Sequence, residues 1–157
     1  MLLGFFQWCE ATGLGQTVRT SAWLFPILEA VHLLGLCLLG GTILIVDLRM
    51  LGLGLTRQRI GDVARDARPW LLVALAVMVV TGTPMFLSEA LKCYYNPSFW
   101  VKMTTLPVAL LFTLTIRAKT ARTAGLAATV PTRVVAVMSL GLWFTVAAGG
   151  RWIGFSS

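Results

Sequence analysis

Four stretches of this 157-residue chain are apolar for longer than a strand or a short core helix requires, and that narrows the fold to one class. A bilayer's hydrocarbon core is roughly 30 Å thick and takes about 20 apolar residues in a helix rising about 1.5 Å per residue. The runs over residues 21–46, 70–90, 99–116 and 134–153 are of that length. The chain is 57% hydrophobic and only 12% charged, with a mean hydropathy of +0.83. So few charges cannot cover a soluble globule. The expectation is an all-α, integral membrane four-helix bundle formed as a single membrane domain over residues 1–157.

The basic residues give the orientation. The formal charge of +7 would suit a nucleic-acid partner, yet the cations gather in two connections between apolar runs. Arg49, Arg57, Arg59, Arg65 and Arg68 follow the first span; Arg117, Lys119, Arg122 and Arg133 follow the third. The opposite side has Arg19, Lys92, Lys102 and Arg151. That asymmetry belongs to membrane topology, argues against nucleic acid, and predicts both termini outside a bacterial inner membrane. Trp8, Trp23, Tyr94, Tyr95, Trp100 and Trp152 then form an outer aromatic belt. Pro69 and Pro131 are expected just before the second and fourth spans, where a missing N–H costs little. Pro26, Pro84 and Pro107 fall inside spans and should kink them.

The ends are read more locally. The first nine residues lack a charged n-region and a cleavage site, so they do not read as a secretion signal. Leu2, Leu3, Phe5, Phe6 and Trp8 instead suggest the apolar side of a short N-terminal interfacial helix. Cys9 and Cys93 both fall on the oxidising side, either as a bridge or as two separate thiols. Cys37, at membrane depth, reads as a small apolar packing residue. Asp47 with Arg49 reads as a local pair capping the first span, and Asp62 and Asp66 alternate with Arg65 and Arg68 on a short loop helix.

The candidate site centres on the single histidine. His32 lies roughly 16 Å into the first span from its outer start, and Glu29 about 12 Å in, at 1.5 Å per residue. Titratable groups at that depth are costly and mark function by default. Glu29, His32 and Gly35 follow at three-residue spacing and are expected to share a face. Lys102, Thr104 and Thr105 enter from the outer end of the third span, Glu89 and Arg151 lie near the outer ends of the second and fourth, and Thr81, Thr83 and Thr145 lie deeper. The inner half reads as almost wholly Leu, Val, Ile and Ala, so the pocket should open outward. Lys102 and Arg151 are expected to turn inward to Glu29 and Glu89, because unpaired charges near hydrocarbon are costly; Arg151, nearer the surface, has the equal alternative of snorkelling outward to headgroups.

Three chemistries are compatible with that arrangement. Haem b would take His32 as metal ligand, with Gly35 admitting the porphyrin edge and Lys102 and Arg151 pairing the propionates. Met78 at similar depth, or a second His32 in a symmetric dimer, would complete the iron, or the iron would stay five-coordinate. Transport or proton handling would use the same polar residues without a cofactor. A structural or lipid-binding role would need only buried hydrogen bonds fixing helix register. Di-iron and closed zinc sites fail, since further ligands at one depth are missing. There is no phosphate-binding glycine loop, no Cys-x-x-Cys, and no Ser/His/Asp set.

Gly141, Thr145 and Gly149 repeat every four residues beside Ala148 and Gly150, a small-residue face that lets backbones approach. Its partner is the first span through Gly35, Gly40 and Gly41, or another copy; a homo-oligomer, with a dimer favoured, is expected. The segments Ser21-Ala22-Trp23-Leu24-Phe25-Pro26-Ile27-Leu28-Glu29-Ala30-Val31-His32-Leu33-Leu34-Gly35, Asp47-Leu48-Arg49-Met50-Leu51-Gly52, Asn96-Pro97-Ser98-Phe99-Trp100-Val101-Lys102 and Gly149-Gly150-Arg151-Trp152-Ile153-Gly154-Phe155 resemble an uncharacterised bacterial family of small four-helix integral membrane proteins. More distantly the chain is similar to four-helix cytochrome b and copper-resistance membrane domains, in which a histidine on an early helix opens the site. It lacks the further histidines of the former and the clustered Met and His of the latter.

Overall fold

A computed structural model describes residues 2–155 of the chain. Those residues form helices without strands: α1 (Leu2–Glu10), α2 (Gly13–Thr20), α3 (Leu24–Leu51), α4 (Ile60–Ser88), α5 (Ala90–Tyr95), α6 (Pro97–Phe112), a π-helical turn (Thr113–Arg117), α7 (Ala118–Thr123) and α8 (Val130–Phe155). Four stretches are long and apolar enough to cross a membrane: Leu24–Leu51, Ile60–Ser88, Pro97–Thr123 and Val130–Ile153. The protein is an all-helical membrane bundle with a short N-terminal helix.

The spans are longer than hydropathy alone suggested, at 28, 29, 27 and 24 residues. Local chemistry sets their true ends. Ser21 Oγ accepts the Leu24 N–H at 3.2 Å to start α3. Gly52, at φ +85°, ends it in the left-handed conformation. There the Gly52 N–H reaches the Arg49 carbonyl and the Leu53 N–H reaches that of Leu48, the paired closure that glycine permits at a helix end. The Asn96 side chain accepts from the Ser98 N–H at 2.9 Å, with Pro97 in the first turn of α6. Thr132 Oγ1 accepts the Thr129 N–H and donates back to the Thr129 carbonyl, holding the entry of α8.

Two proline expectations are corrected. Pro69 does not precede the second span; α4 starts at Ile60 and carries Pro69 and Pro84 inside it. The loop helix read around Asp62 is the first part of α4, where Arg65 Nη2 meets Asp62 Oδ1 at 2.7 Å. Pro26 lies in the first turn of α3, where its missing N–H has no intrahelical acceptor to lose.

The core has three levels. Leu39, Ile43, Leu71, Ala74, Ala109, Trp143 and Val146 fill the middle. Val46, Met50, Ile60, Val63, Ala121 and Ala136 fill the end bearing the basic connections. Phe6, Cys9, Ala90, Cys93 and Phe99 close the other end. α3 packs on α4 and α8, and α8 packs on α6; α4 meets the third span mainly through α7.

α1 is more than an interfacial float. Leu2, Phe5 and Trp8 stay exposed, but Phe6 is buried, within ring contact of Phe86, Tyr94, Phe99 and Trp100. Glu10 ion-pairs with Arg19 and accepts the Leu91 N–H at 2.8 Å, and Arg19 Nε donates to the Ser88 carbonyl at 3.0 Å. These bonds pin α1 and α2 across the end of α4.

Cys9 and Cys93 occupy this same cap as buried, free thiols; the bridged alternative is not formed. Burial and the Glu89 carboxylate push the Cys93 thiol up to about 11, against an opposing pull from Lys102 and Lys92. Because the thiolate is the nucleophile, alkylation of Cys93 should climb roughly tenfold per pH unit instead of levelling near the ordinary value of about 8.5. Peptide-resolved mass spectrometry of timed iodoacetamide labelling will measure it. A plateau by pH 9 would contradict this environment.

Candidate functional site

A tight contact between α3 and α4 fixes the site around His32. A Cβ on Gly35 would come within 2.8 Å of Val77 Cγ1 and 3.4 Å of Met78 Sδ, so α3 crosses α4 at the one α3 position there without a side chain. One turn outward, His32 meets α4 as well: a Cβ on Gly82 would lie 3.1 Å from His32 Cε1. His32 Nδ1 is 2.7 Å from Thr81 Oγ1.

The Thr81 hydroxyl lies equally 2.7 Å from the Val77 carbonyl, so Thr81 links the His32 ring to the α4 backbone. With the hydroxyl proton on that carbonyl, His32 Nδ1–H is the donor to Thr81 and Nε2 is the ring's acceptor. His32 is half-buried and is left with a fixed acceptor atom on the side of the ring away from Thr81.

The other expected residues divide. Glu29 does not turn with His32: it is exposed on the outside of the bundle. Residues three apart on a helix differ by about 60° in direction, enough to put one against α4 and the other outside. Gly35 and Met78 belong to the α3–α4 crossing, where Val77 fills the space expected to admit a porphyrin edge. Lys102 is half-buried, its side chain lying along Gly149 and Gly150 of α8. Among the described residues no ion pair joins Lys102 to Glu29, while Glu89 pairs with Lys92 at 3.8 Å; the expected inward pairing of Lys102 is corrected. Arg151 is exposed near the end of α8. Among the described residues no three His, Cys, Asp or Glu side chains come together as a metal site.

The small-residue face of α8 also divides. Gly149 packs against Lys102 and the Ser98 carbonyl, whereas Gly141 and Thr145 are exposed. Gly35 serves α4 rather than α8, and Gly40 and Gly41 face open space.

The end of the bundle that bears the basic connections holds a polar centre that the sequence reading missed. Asp47 and Arg117 are 0% and 5% exposed. Arg117 Nε donates to Asp47 Oδ1 at 2.6 Å and its Nη2 donates to the Ile43 carbonyl at 3.1 Å. Asp47 therefore pairs across the bundle with Arg117 and not with Arg49, as residues two apart point to opposite sides of a helix. The π-helical turn carries Arg117, and such turns re-aim side chains within a helix. Ser139 of α8 is fully buried as well, and Asp47 Oδ2 and Ser139 Oγ have no hydrogen-bond partner of normal geometry. Nearby, Trp143 Nε1 donates to Thr113 Oγ1 at 2.8 Å. Arg49 turns instead to two backbone carbonyls, Gln58 at 2.8 Å and Leu126 at 2.6 Å.

A family of unknown function, DUF6644, matches residues 5–156, and the chain belongs to it. No curated protein and no solved structure matches the chain. Nothing in these comparisons links it to cytochromes b or copper-resistance domains.

Removing one partner of a buried ion pair leaves the other charge uncompensated, at a cost of about 3–5 kcal/mol. Asp47→Ala should therefore lower detergent-solubilised stability by about that amount, and Asp47→Leu combined with Arg117→Leu should recover most of it. Thermal unfolding of the three proteins measures both. Equal stability of Asp47→Ala and the parent would mean that the pair is not buried as described.

Proposed function

We propose that this is a proton-handling membrane protein whose outer station is His32 Nε2. The observation that carries the reading is the His32–Thr81–Val77 chain of 2.7 Å contacts, which holds the imidazole in one orientation at Nδ1 and, with the hydroxyl proton on the Val77 carbonyl, leaves Nε2 as its acceptor. Lys102 enters the same end of the bundle from α6, its side chain lying along Gly149 and Gly150. Asp47, Arg117 and Ser139 form a second polar station 15 residues further along α3, about 22 Å at 1.5 Å per residue, with the mid-level apolar core between them. Intramembrane carboxylates and histidines facing a bundle interior are the ordinary elements of proton relays.

In vesicles loaded with a pH-sensitive dye, an external acid pulse should acidify the lumen faster with the protein than without it. His32→Gln should lower that rate by at least about tenfold, in line with loss of a positioned proton-transfer group. Thr81→Val, which removes only the oriented acceptor, should fall between. Equal rates for the parent and His32→Gln would remove the proposal and favour a structural role for the histidine.

A second reading, haem b on His32, is favoured by the same lone pair, since metal-bound histidines commonly donate their other N–H to a neighbouring oxygen. The Val77 side chain packed on Gly35 counts against it. An absorption spectrum of protein from haem-replete cells separates the two: a Soret band lost in His32→Gln supports haem, and its absence in the parent removes it.

A further inference from the structure

At the end of the bundle that carries the basic connections, a cleft of about 660 Å³ opens between α4 and the third span. It exists because α4 meets that span mainly through α7, leaving the space beside the π-helical turn unfilled. Its volume falls within the usual range for ligand sites, about 300–1,000 Å³. Thr42 and Val46 of α3 line its depth, and Leu71 and Leu114 give it apolar walls.

The charge around this cleft has one sign. Arg59, Arg65, Arg68, Arg117 and Arg122 line it together with a single acid, Asp62. Arg117 is neutralised by Asp47 and Arg65 by Asp62. Arg59, Arg68 and Arg122 are exposed and have no ion pair among the described residues. Cations from both walls thus border one cavity that also has apolar wall at Val46, Leu71 and Leu114. Such a cavity is complementary to a molecule with an anionic head and a hydrocarbon body.

We propose that the cleft binds an anionic phospholipid, with its phosphate between Arg68 and Arg122 and its acyl chains leaving along Leu71 and Leu114. Guanidinium groups recognise phosphate oxygens by paired hydrogen bonds, and basic pockets between spans are a recurring form of lipid headgroup recognition. The apolar walls decide between two phosphate sources: a free phosphate uses the arginines alone, whereas a lipid uses the walls too. The site lies at the opposite end of the bundle from His32, so it stands or falls independently of the proton-handling reading.

The test uses the full chain in nanodiscs of equal phosphatidylglycerol and phosphatidylcholine, with retained lipid counted by native mass spectrometry. The parent should retain phosphatidylglycerol selectively. Arg68→Gln with Arg122→Gln should reduce that retention by roughly 10–30-fold, the effect of losing two cations at a headgroup. Arg57→Gln with Arg133→Gln removes the same charge from basic residues outside the cleft and should change retention less than about threefold. Millimolar inorganic phosphate should not displace the lipid. Equal losses in the two double variants would show diffuse attraction to the basic end and overturn the proposal. So would indifference to headgroup, or displacement of the lipid by phosphate. Unchanged thermal unfolding of both variants in neutral detergent confirms that retention is compared between folded proteins.

Discussion

The crossing of α3 over α4 at Gly35 organises this protein. With no side chain on one helix, Val77 of the other seats directly against it, where a Cβ would stand only 2.8 Å from Val77 Cγ1. In lipid, where hydrocarbon gives no hydrophobic drive for helix association, such close packing is a principal source of attraction. Its position determines what lies around it. One turn outward the same faces bring His32 onto Thr81 and Gly82; further inward they bury Leu39, Ile43 and Ala74.

Charge is managed differently at the two ends. At the end bearing α1 and α2, the ion pairs join neighbouring segments: Glu10 with Arg19, and Glu89 with Lys92. At the end bearing the basic connections, the fully buried carboxylate of Asp47 meets a guanidinium from a different span. The first arrangement keeps charges near the surface and leaves Lys102 lying along glycines. The second withdraws two opposite charges from solvent together, which is tolerable only with further hydrogen bonds. The Ile43 carbonyl supplies one of these.

The spans were legible because hydropathy over 20 residues is a strong signal; their ends were not, because polar turns such as Ile60 to Arg68 continue a helix beyond the hydrocarbon. α2 was missed for a related reason. Gly13 and Gly15 resemble loop glycines, yet Gly15 is needed for contact: a Cβ there would stand 2.6 Å from the Leu87 carbonyl oxygen. His32 stood out as one titratable residue at an improbable depth, and it lies against Thr81 and Gly82 of α4. Glu29's direction could not, since sixty degrees around a helix is beyond what spacing specifies. Asp47 was assigned to its sequence neighbour, although depth would have indicated its partner. Asp47 and Arg117 lie 23 and 20 residues into their spans, about 30–35 Å at 1.5 Å per residue.

Arg49 joins parts of the molecule that are far apart in sequence. Its guanidinium accepts no bond and so must find carbonyls; the two it finds belong to the connection after the first span and to the one after the third. Both connections are thereby tied to the last turn of α3. A segment held at one more point has fewer conformations available to it, and here two segments share the same restraint. Hinge-like freedom is consequently withdrawn from the arginine-rich face, and displacement of one connection is mechanically felt by the other through a single side chain.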